Sequence, residues 1–164
     1  MRITPFLPGL MVAGLLTSAE SIDCQKDPSA QPIYVAAEYD AARDPAADLA
    51  VATNRANTES KRILMVVGGT WCVDCRLLDT FIAEHTAVTE KLRESFIILK
   101  VNYSRDNRNE AFLSDYPDIE WFPHIFVLAR DGSQLHSKDT RELYSGRYVD
   151  EEIFLRFLDQ WTPK

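Results

Sequence analysis

Three short runs of apolar residues stand out along the chain, at 63–67, 96–101 and 124–128. Each run has the length of a strand rather than of a helix, and the first is rich in β-branched residues and ends at Gly68 and Gly69. Continuous apolar runs of this kind are typical of strands that are covered on both faces. The pattern therefore predicts three buried strands in one sheet.

Between the first two runs, apolar side chains recur with the spacing of a helix. They lie at positions i, i+3, i+4 and i+7, which places them on one helix face. This set comprises Leu78, Phe81, Ile82 and His85. Strand, helix and strand together predict a βαβ unit with parallel strands and a right-handed connection.

The second half of the chain has a different order of elements. A short helix is predicted at 111–116, and Asp131 and Gly132 form a tight-turn signal after the third run. The segment from Ser133 should therefore fold back antiparallel onto that run. A last helix begins at Asp150, and its apolar stripe consists of Phe154, Phe157, Leu158 and Trp161.

The region before residue 61 predicts less structure. Residues 20–37 contain two prolines and only a short apolar patch, so we expect an irregular lead-in. Asp44 followed by Pro45 is a helix start, because Asp caps free N–H groups and Pro suits the first helical position. This helix should end near Asn57, and with the lead-in it forms an N-terminal extension over 20–60.

The complete order, β-α-β-α-β-β-α, predicts an α/β fold. Its mixed central sheet has a parallel βαβ half and an antiparallel ββα half, and helices flank the sheet. A chain of 164 residues suits one domain of this kind, which we place at 61–164.

The first 19 residues differ from the rest and predict a signal peptide at 1–19. Arg2 is their only charge, 6–16 is almost wholly apolar, and 17–19 are small residues suited to cleavage. The apolar stretch is shorter than the ~20 residues that span a bilayer, although an uncleaved anchor is the alternative interpretation. We therefore expect an exported protein, periplasmic or secreted.

The charge balance is acidic, with 18 Lys and Arg against 25 Asp and Glu and a formal net charge of −7. This composition lacks the basic excess that nucleic-acid binding requires, and it does not favour an anionic membrane surface. We expect no nucleic-acid partner and a monomeric protein that its carboxylates keep soluble.

Cys72 and Cys75 form a Cys-x-x-Cys pair where the first predicted strand gives way to a helix. Free N–H groups and the helix dipole at such an N-terminus stabilise a thiolate. Cys72 would then be the exposed nucleophile and Cys75 the resolving thiol that releases a mixed disulfide. The third cysteine, Cys24, is interpreted as a plain, partly buried thiol, and the chemistry requires no organic cofactor.

These features resemble the thioredoxin family over about residues 61–161. The matching positions are Trp71 in Trp-Cys-Val-Asp-Cys, Phe122-Pro123, Asp131-Gly132 and Gly146. The resemblance implies a thioredoxin-like fold and a cis proline at 123 that packs against the cysteine pair and exposes backbone groups to an extended substrate chain. The residues that we expect to bind substrate or tune the cysteines are Trp71, Asp74, Phe122, Pro123 and His124.

The chain also departs from the family pattern. Thioredoxins proper carry a buried aspartate six residues before the first cysteine, and this chain has Val66 there. The usual proton acceptor for Cys75 is therefore missing from its usual position. Val73 and Asp74 replace the commonest Gly-Pro, and Phe122 replaces a smaller residue, so substrate choice should differ accordingly.

The sequence predicts a thiol–disulfide oxidoreductase, an enzyme whose partners are disulfide-containing exported proteins. Asp74 places a negative charge beside the Cys72 thiolate, which should raise the pKa of that thiol and disfavour the reduced form. This favours a reductant or isomerase over a strong oxidant. A reductant in an oxidising compartment would need an electron donor, such as a membrane-bound disulfide reductase.

Other interpretations remain open at this point. The cysteines could form a structural disulfide or half of a zinc site, although zinc usually takes four protein ligands. Copper handling through Cys72, Cys75 and His124 is an alternative because soft thiolates favour Cu(I), as is a binding module without turnover. His124 is equally well explained as a strand residue with its ring elsewhere, and Trp71 either shields the sulfurs or simply packs.

Overall fold

A five-stranded mixed sheet runs through the part of the chain that this computed structural model describes, which is Met1 and residues 33–164. The rest of the predicted signal peptide, together with Cys24, lies outside the described residues. A short 3-10 helix, Thr140–Leu143, follows the fifth strand. The strands and helices are, in chain order, β1 Tyr34–Ala36, α1 Pro45–Glu59, β2 Arg62–Gly68, α2 Val73–Glu84, α3 Thr86–Ser95, β3 Phe96–Asn102, α4 Glu110–Leu113, β4 His124–Leu128, β5 Gln134–Asp139, β6 Tyr144–Ser145, β7 Tyr148–Val149 and α5 Glu151–Trp161.

The strands of the sheet lie in the order β1-β3-β2-β4-β5, so β1 and β5 are its edges. β1, β3 and β2 are parallel, whereas β4 pairs antiparallel with both β2 and β5. The register aligns Val66 on β2 with Lys100 on β3, and Val67 with His124 on β4. The predicted mixed sheet, with a parallel first half and an antiparallel second half, is confirmed.

The sheet separates two hydrophobic cores. One lies under α2, α3 and α5, where Leu78, Leu92 and Phe154 are each at most 3% exposed. α1 covers the other face, on which Ala52 and Ala56 are fully buried. Side chains of β2 and β3 alternate between the two cores, as their continuous apolar runs predicted.

Local sequence explains where α1 begins and where β4 turns into β5. The Asp44 carboxylate accepts hydrogen bonds from the N–H groups of Ala46 and Ala47 at 2.9 and 3.4 Å, with Pro45 as the first helical residue. Gly132 has a φ of 86°, in the left-handed region that favours glycine. The predicted helix start and hairpin are both confirmed.

Two segments contain elements that the pattern did not predict. Residues 34–36 form β1 and pair with β3, which corrects the expectation of an irregular lead-in. Residues 86–95 form α3, since Val88 and Leu92 are fully buried in the core beneath it. His85, predicted to lie on the apolar stripe of one helix, is instead the residue between α2 and α3.

Smaller differences concern the second half of the chain. The helix predicted at 111–116 is one turn at Glu110–Leu113, and the β6–β7 hairpin has no apolar run that would predict it. β1 and α1 pack against β3, so the division of the chain into 20–60 and 61–164 stays a prediction. None of the helices in the described part combines the length and apolar character needed to cross a bilayer.

Candidate active site

The two cysteines sit at the junction of β2 and α2 and are joined in a disulfide, with their Cα atoms 5.3 Å apart. Cys72 is the residue that caps the N-terminus of α2, and its Sγ accepts a hydrogen bond from the N–H of Cys75 at 3.1 Å. A free helical N–H therefore points at the Cys72 sulfur. The same donor would stabilise the thiolate after reduction.

Burial of the two sulfur-bearing residues differs from the prediction. Cys72 was expected to be exposed, but only 4% of the residue is, and Cys75 is 1% exposed. Tyr39 and Phe122 pack against the pair. Access is through a groove of about 360 Å³, which Cys72 borders and Cys75 does not. The groove is lined by Trp71, Cys72, Val73, Asp74, Glu120, Trp121 and Phe122.

Trp71 and Phe122, which line this groove, pack together with Tyr103. The Trp71 indole N–H donates to the Tyr103 carbonyl oxygen at 2.6 Å. Phe122 packs edge-to-face on Trp71 at 5.6 Å between ring centroids and stacks on Tyr103 at 4.8 Å. Trp71 is nevertheless 54% exposed. Both roles considered for Trp71 are thus compatible, since it packs and also presents a face beside the cysteines.

The loop before β4 lies on the other side of the groove. The peptide bond between Phe122 and Pro123 is cis. Thr140, 1% exposed at the start of the 3-10 helix, donates its hydroxyl to the Pro123 carbonyl oxygen. Sequence reasoning did not identify Thr140, because its contact with the loop spans 17 positions.

His124 is buried in the sheet, with 5% of the residue exposed. Its Nε2 is 2.8 Å from the Ser137 hydroxyl and its ring lies 4.7 Å from that of Phe126, while Nδ1 has no hydrogen-bond partner. Burial lowers the pKa of this imidazole, and the charge of Asp139 partly opposes that shift. Both roles considered for His124, contact with substrate and tuning of the cysteines, stay predictions.

The copper alternative needed three ligands in one place. Among residues 33–164, no three His, Cys, Asp or Glu side chains come together in a way that could hold a metal ion. His124 therefore does not complete a three-ligand site with Cys72 and Cys75.

Asp74 is half-buried in the first turn of α2 and lines the groove beside Cys72. Its charge reaches Tyr144, whose pKa is raised mainly by burial and further by Asp74. Asp74 and Cys72 thus line the same groove, and the predicted effect of Asp74 on the Cys72 thiol stays a prediction.

A cluster behind Cys75 was missed at the level of sequence. Tyr39, 8% exposed, packs with Cys72 and Cys75 from the segment before α1. Lys100 on β3 has a side chain only 7% exposed, and its Nζ lies 2.8 Å from the Asp79 carboxylate on α2. One signal was present: Lys100 interrupts a strand predicted to be buried on both faces, and a buried ammonium requires a partner.

A sequence comparison matches the family described as Thioredoxin-like to residues 44–129. Among curated proteins, none matches this chain.

Solved structures show the same architecture. A disulphide isomerase from Xylella fastidiosa Temecula1 superposes with a TM-score of 0.64 at 25% identity, covering 74% of this chain and 94% of that one. The C-terminal domain of DsbD from Neisseria meningitidis gives 0.57 in its oxidised form at 18% identity, covering 76% of this chain and 99% of that domain. Its reduced form gives 0.55 at 18% identity, covering 72% and 96%. At 18% identity, the similarity to the DsbD domain supports the fold only.

Proposed function

Because the chain belongs to the thioredoxin-like family, we propose that it reduces or rearranges disulfide bonds of exported proteins through Cys72 and Cys75. The cysteine pair and the fold support thiol–disulfide exchange as the reaction. The observation that carries the proposal is the position of Cys72, which caps α2, accepts a hydrogen bond from the Cys75 N–H and borders a surface groove.

The reaction proceeds in two exchanges. The Cys72 thiolate attacks one sulfur of a client disulfide, which forms a mixed disulfide and releases the other client sulfur as a thiolate. Cys75 then loses its proton and attacks the Cys72 sulfur, so that the second client sulfur leaves and the Cys72–Cys75 disulfide forms. The client gains two electrons and two protons, and the enzyme pair is oxidised.

The groove supports a client chain in extended form. Val73 and Trp121, which are 58% and 40% exposed, offer apolar contact on two sides of Cys72. The approach to the sulfur is narrow, because Cys72 itself is nearly covered. A client disulfide must therefore lie in the groove before its sulfur can be attacked.

The direction of electron flow follows from Asp74. A carboxylate beside Cys72 opposes the helix dipole and disfavours the thiolate of the reduced enzyme. The enzyme is therefore a reductant or an isomerase, and a membrane-bound disulfide reductase supplies its electrons. The similarity to a disulphide isomerase supports this direction. A reduction potential near −120 mV, typical of a strong oxidant, would contradict it.

Reduction of insulin disulfides, with dithiothreitol as the reductant that returns the enzyme pair to the dithiol, is followed as the precipitation of the freed chains and tests the activity. Cys72→Ser should abolish turnover, because no thiolate remains to attack the substrate. Cys24→Ser is the matched control, with the same substitution at the third cysteine, and should keep full activity. Equal activity of the Cys72→Ser protein and its parent would refute the proposed reaction.

Clients are identified by trapping. Cys75→Ser should stall the reaction at the mixed disulfide, since the resolving thiol is gone, and should retain clients as covalent adducts that dithiothreitol releases. Adducts should be absent with Cys72→Ser. Recovery of adducts only from cytosolic proteins would contradict the proposed exported clients.

A further inference from the structure

A second cavity, of about 600 Å³, lies beside the groove, and Trp71 lines both. Trp71 and Tyr103 form the apolar part of this cavity, and its charged residues are Arg105, Asp106 and Arg108. We call it the arginine pocket. The Trp71 indole is therefore a wall that the groove and the arginine pocket share.

Two asparagines tie down the loop that carries the arginines. Asn102, 5% exposed, donates from Nδ2 to the Asn107 carbonyl oxygen at 2.7 Å and to the Ser104 hydroxyl oxygen at 3.1 Å. The Ser104 N–H also donates to the Asn107 carbonyl oxygen, at 3.0 Å. The Asn107 side chain donates to the Ala41 carbonyl oxygen, in the segment before α1, at 2.9 Å. The loop is thus positioned before a client arrives, which lowers the entropic cost of binding.

The guanidinium groups of the arginine pocket are available to an anionic partner. No ion pair of Arg105 is found within residues 33–164. Arg108 Nη1 lies 3.6 Å from Glu110, and the two side chains are 57% and 75% exposed, so this pair contributes little stability. Asp106 offsets part of the positive charge. A planar guanidinium matches the two oxygens of a carboxylate, which makes an acidic side chain the ligand that suits this pocket.

The groove carries the opposite charge. Its charged lining residues are Asp74 and Glu120. Arg141 lies 3.8 Å from Glu120, but it also pairs with Asp139. A polypeptide that runs from the groove across Trp71 therefore passes from carboxylates to guanidinium groups.

We propose that the arginine pocket binds acidic side chains of a client, at the second or third residue from the cysteine that Cys72 attacks. The inference rests on the proposed function and deepens it, because it names the class of client that the site prefers. An extended chain advances about 3.3 Å per residue, so about two or three residues carry it past one indole ring. Charge at this distance from the sulfur selects the client and speeds its association.

The attack on the client can be observed by itself. The full chain carrying Cys24→Ser and Cys75→Ser keeps Cys72 as its one thiol. Each client is a short peptide whose single cysteine is joined in a disulfide to the aromatic thiol thionitrobenzoate. The Cys72 thiolate attacks the peptide sulfur, so that a Cys72–peptide disulfide forms and the thionitrobenzoate anion leaves. The absorbance of the released anion gives the rate of attack.

The peptides differ only at the second and third residues from the cysteine, which are two aspartates, two asparagines or two lysines. Each is made with the pair before and after the cysteine, so that both chain directions are covered. In one direction, the aspartate peptide should react about fivefold faster than the asparagine peptide at low ionic strength, and the lysine peptide should react more slowly. Raising the ionic strength should reduce this ratio.

Removal of both guanidinium groups tests the assignment to the pocket. The double variant Arg105→Gln, Arg108→Gln should lower the aspartate-to-asparagine rate ratio about fivefold. Peptide charge also changes the reactivity of the peptide disulfide itself, and comparing the same ratio between proteins removes that contribution. Arg130→Gln is the matched control, because Arg130 is an exposed arginine in the turn between β4 and β5, and it should keep the parent ratio.

A ratio that the double variant leaves unchanged in both directions would overturn the inference. So would an equal loss with Arg130→Gln, since the effect would then come from net charge alone. Equal slowing of all peptides would also overturn it, because that result indicates a structural role. Arg105 and Arg108 are exposed, so the double variant should fold. Absence of release from every peptide with the parent would instead refute the proposed function, because Cys72 would then not be a reactive thiol.

Discussion

Gly68, at the end of β2, shows how closely the backbone approaches the buried sulfur. Any β-carbon there would lie 2.6 Å from Cys75 Sγ and 3.1 Å from the Tyr39 ring. Carbon and sulfur atoms are not found this close without a bond, and neither the sulfur in its disulfide nor the buried ring has free space. The glycine is thus required by the packing of the cysteine pair.

We predict that Gly68→Ala destabilises the oxidised protein by about 1–3 kcal/mol, because overpacking forces Cys75 or Tyr39 to move. Urea unfolding measures this. Gly146→Ala is the comparison, since Gly146 has a φ of 68° but no atom within 4 Å of an added β-carbon. Its cost should be about 1 kcal/mol, from the backbone alone. A smaller loss for Gly68→Ala than for Gly146→Ala would contradict the packing argument.

His124 makes stability depend on pH. Burial lowers the pKa of the folded imidazole, so the unfolded chain takes up a proton at a higher pH than the folded one. The stability that the protein gains from a neutral His124 is fully present above the ordinary histidine pKa of about 6.5. It is lost as the pH falls through the lower pKa of the folded protein.

We predict that the free energy of unfolding falls as the pH drops below the ordinary histidine pKa of about 6.5, and that His124→Gln reduces this fall, because glutamine stays neutral. Urea unfolding at several pH values measures both proteins. Part of the fall should remain, since burial also lowers the pKa of His136. Equal falls in the two proteins would contradict the assignment to His124.

At the scale of elements, α5 covers one core with a stripe of apolar residues. Phe154, Phe157 and Leu158 are each at most 6% exposed beneath it. Asp150 caps the helix by accepting a hydrogen bond from the N–H of Ile153 at 3.0 Å. Both the stripe and the cap follow from the sequence pattern.

We predict that Asp150→Ala lowers the free energy of unfolding by about 1 kcal/mol, because the N–H groups of the first turn lose their acceptor. The neighbouring substitution Glu151→Ala removes an acidic residue without a capping bond and should cost less than ~0.5 kcal/mol. Thermal or urea unfolding of both variants checks this order, and an equal loss would refute the capping role.

The elements that could be predicted are those whose own residues carry the signal. β2, β3 and β4 each contain a run of mostly apolar residues, and α2 and α5 have helical periodicity. β1 has only three residues and is stabilised by pairing with β3, so its own pattern is too short to indicate a strand. α3 buries only two apolar side chains and a serine, which is too few to show a period.

The residues of the candidate site also differ in whether the sequence alone could indicate them. Trp71, Cys72 and Cys75 lie within five consecutive positions at the start of a predicted helix, and this placement indicates the chemistry. Asp79 and Lys100 are 21 positions apart, and Tyr39 comes from before α1. Only the sheet register and the packing of the lead-in bring them together, so the sequence alone does not indicate this cluster.

At the scale of the whole molecule, residues 33–60 are part of the packed structure. α1 and β1 both contact β3. Without them, an apolar face of the sheet that includes Met65, Ile97 and Leu99 would lie open to water. Tyr39 would also be lost from behind Cys75.

We predict that a fragment of residues 61–164 does not unfold cooperatively, because about half of its sheet would lack a covering layer. The chain 33–164 should show a single cooperative urea transition by near-ultraviolet circular dichroism, and it serves as the reference. A sharp transition of the shorter fragment at the same urea concentration would show that the extension is dispensable.

The outer strand β5 has a consequence for how clients are released. An open sheet edge attracts extended chains as additional strands, and partly unfolded clients offer such chains. Lys138 and Asp139 put charges on this edge, and each is held by a neighbouring residue, Glu142 and Arg141 respectively. An extended polypeptide therefore gains little stability by pairing with β5 as an additional strand. In the proposed reaction, the mixed disulfide would then be the main attachment of a client to the protein.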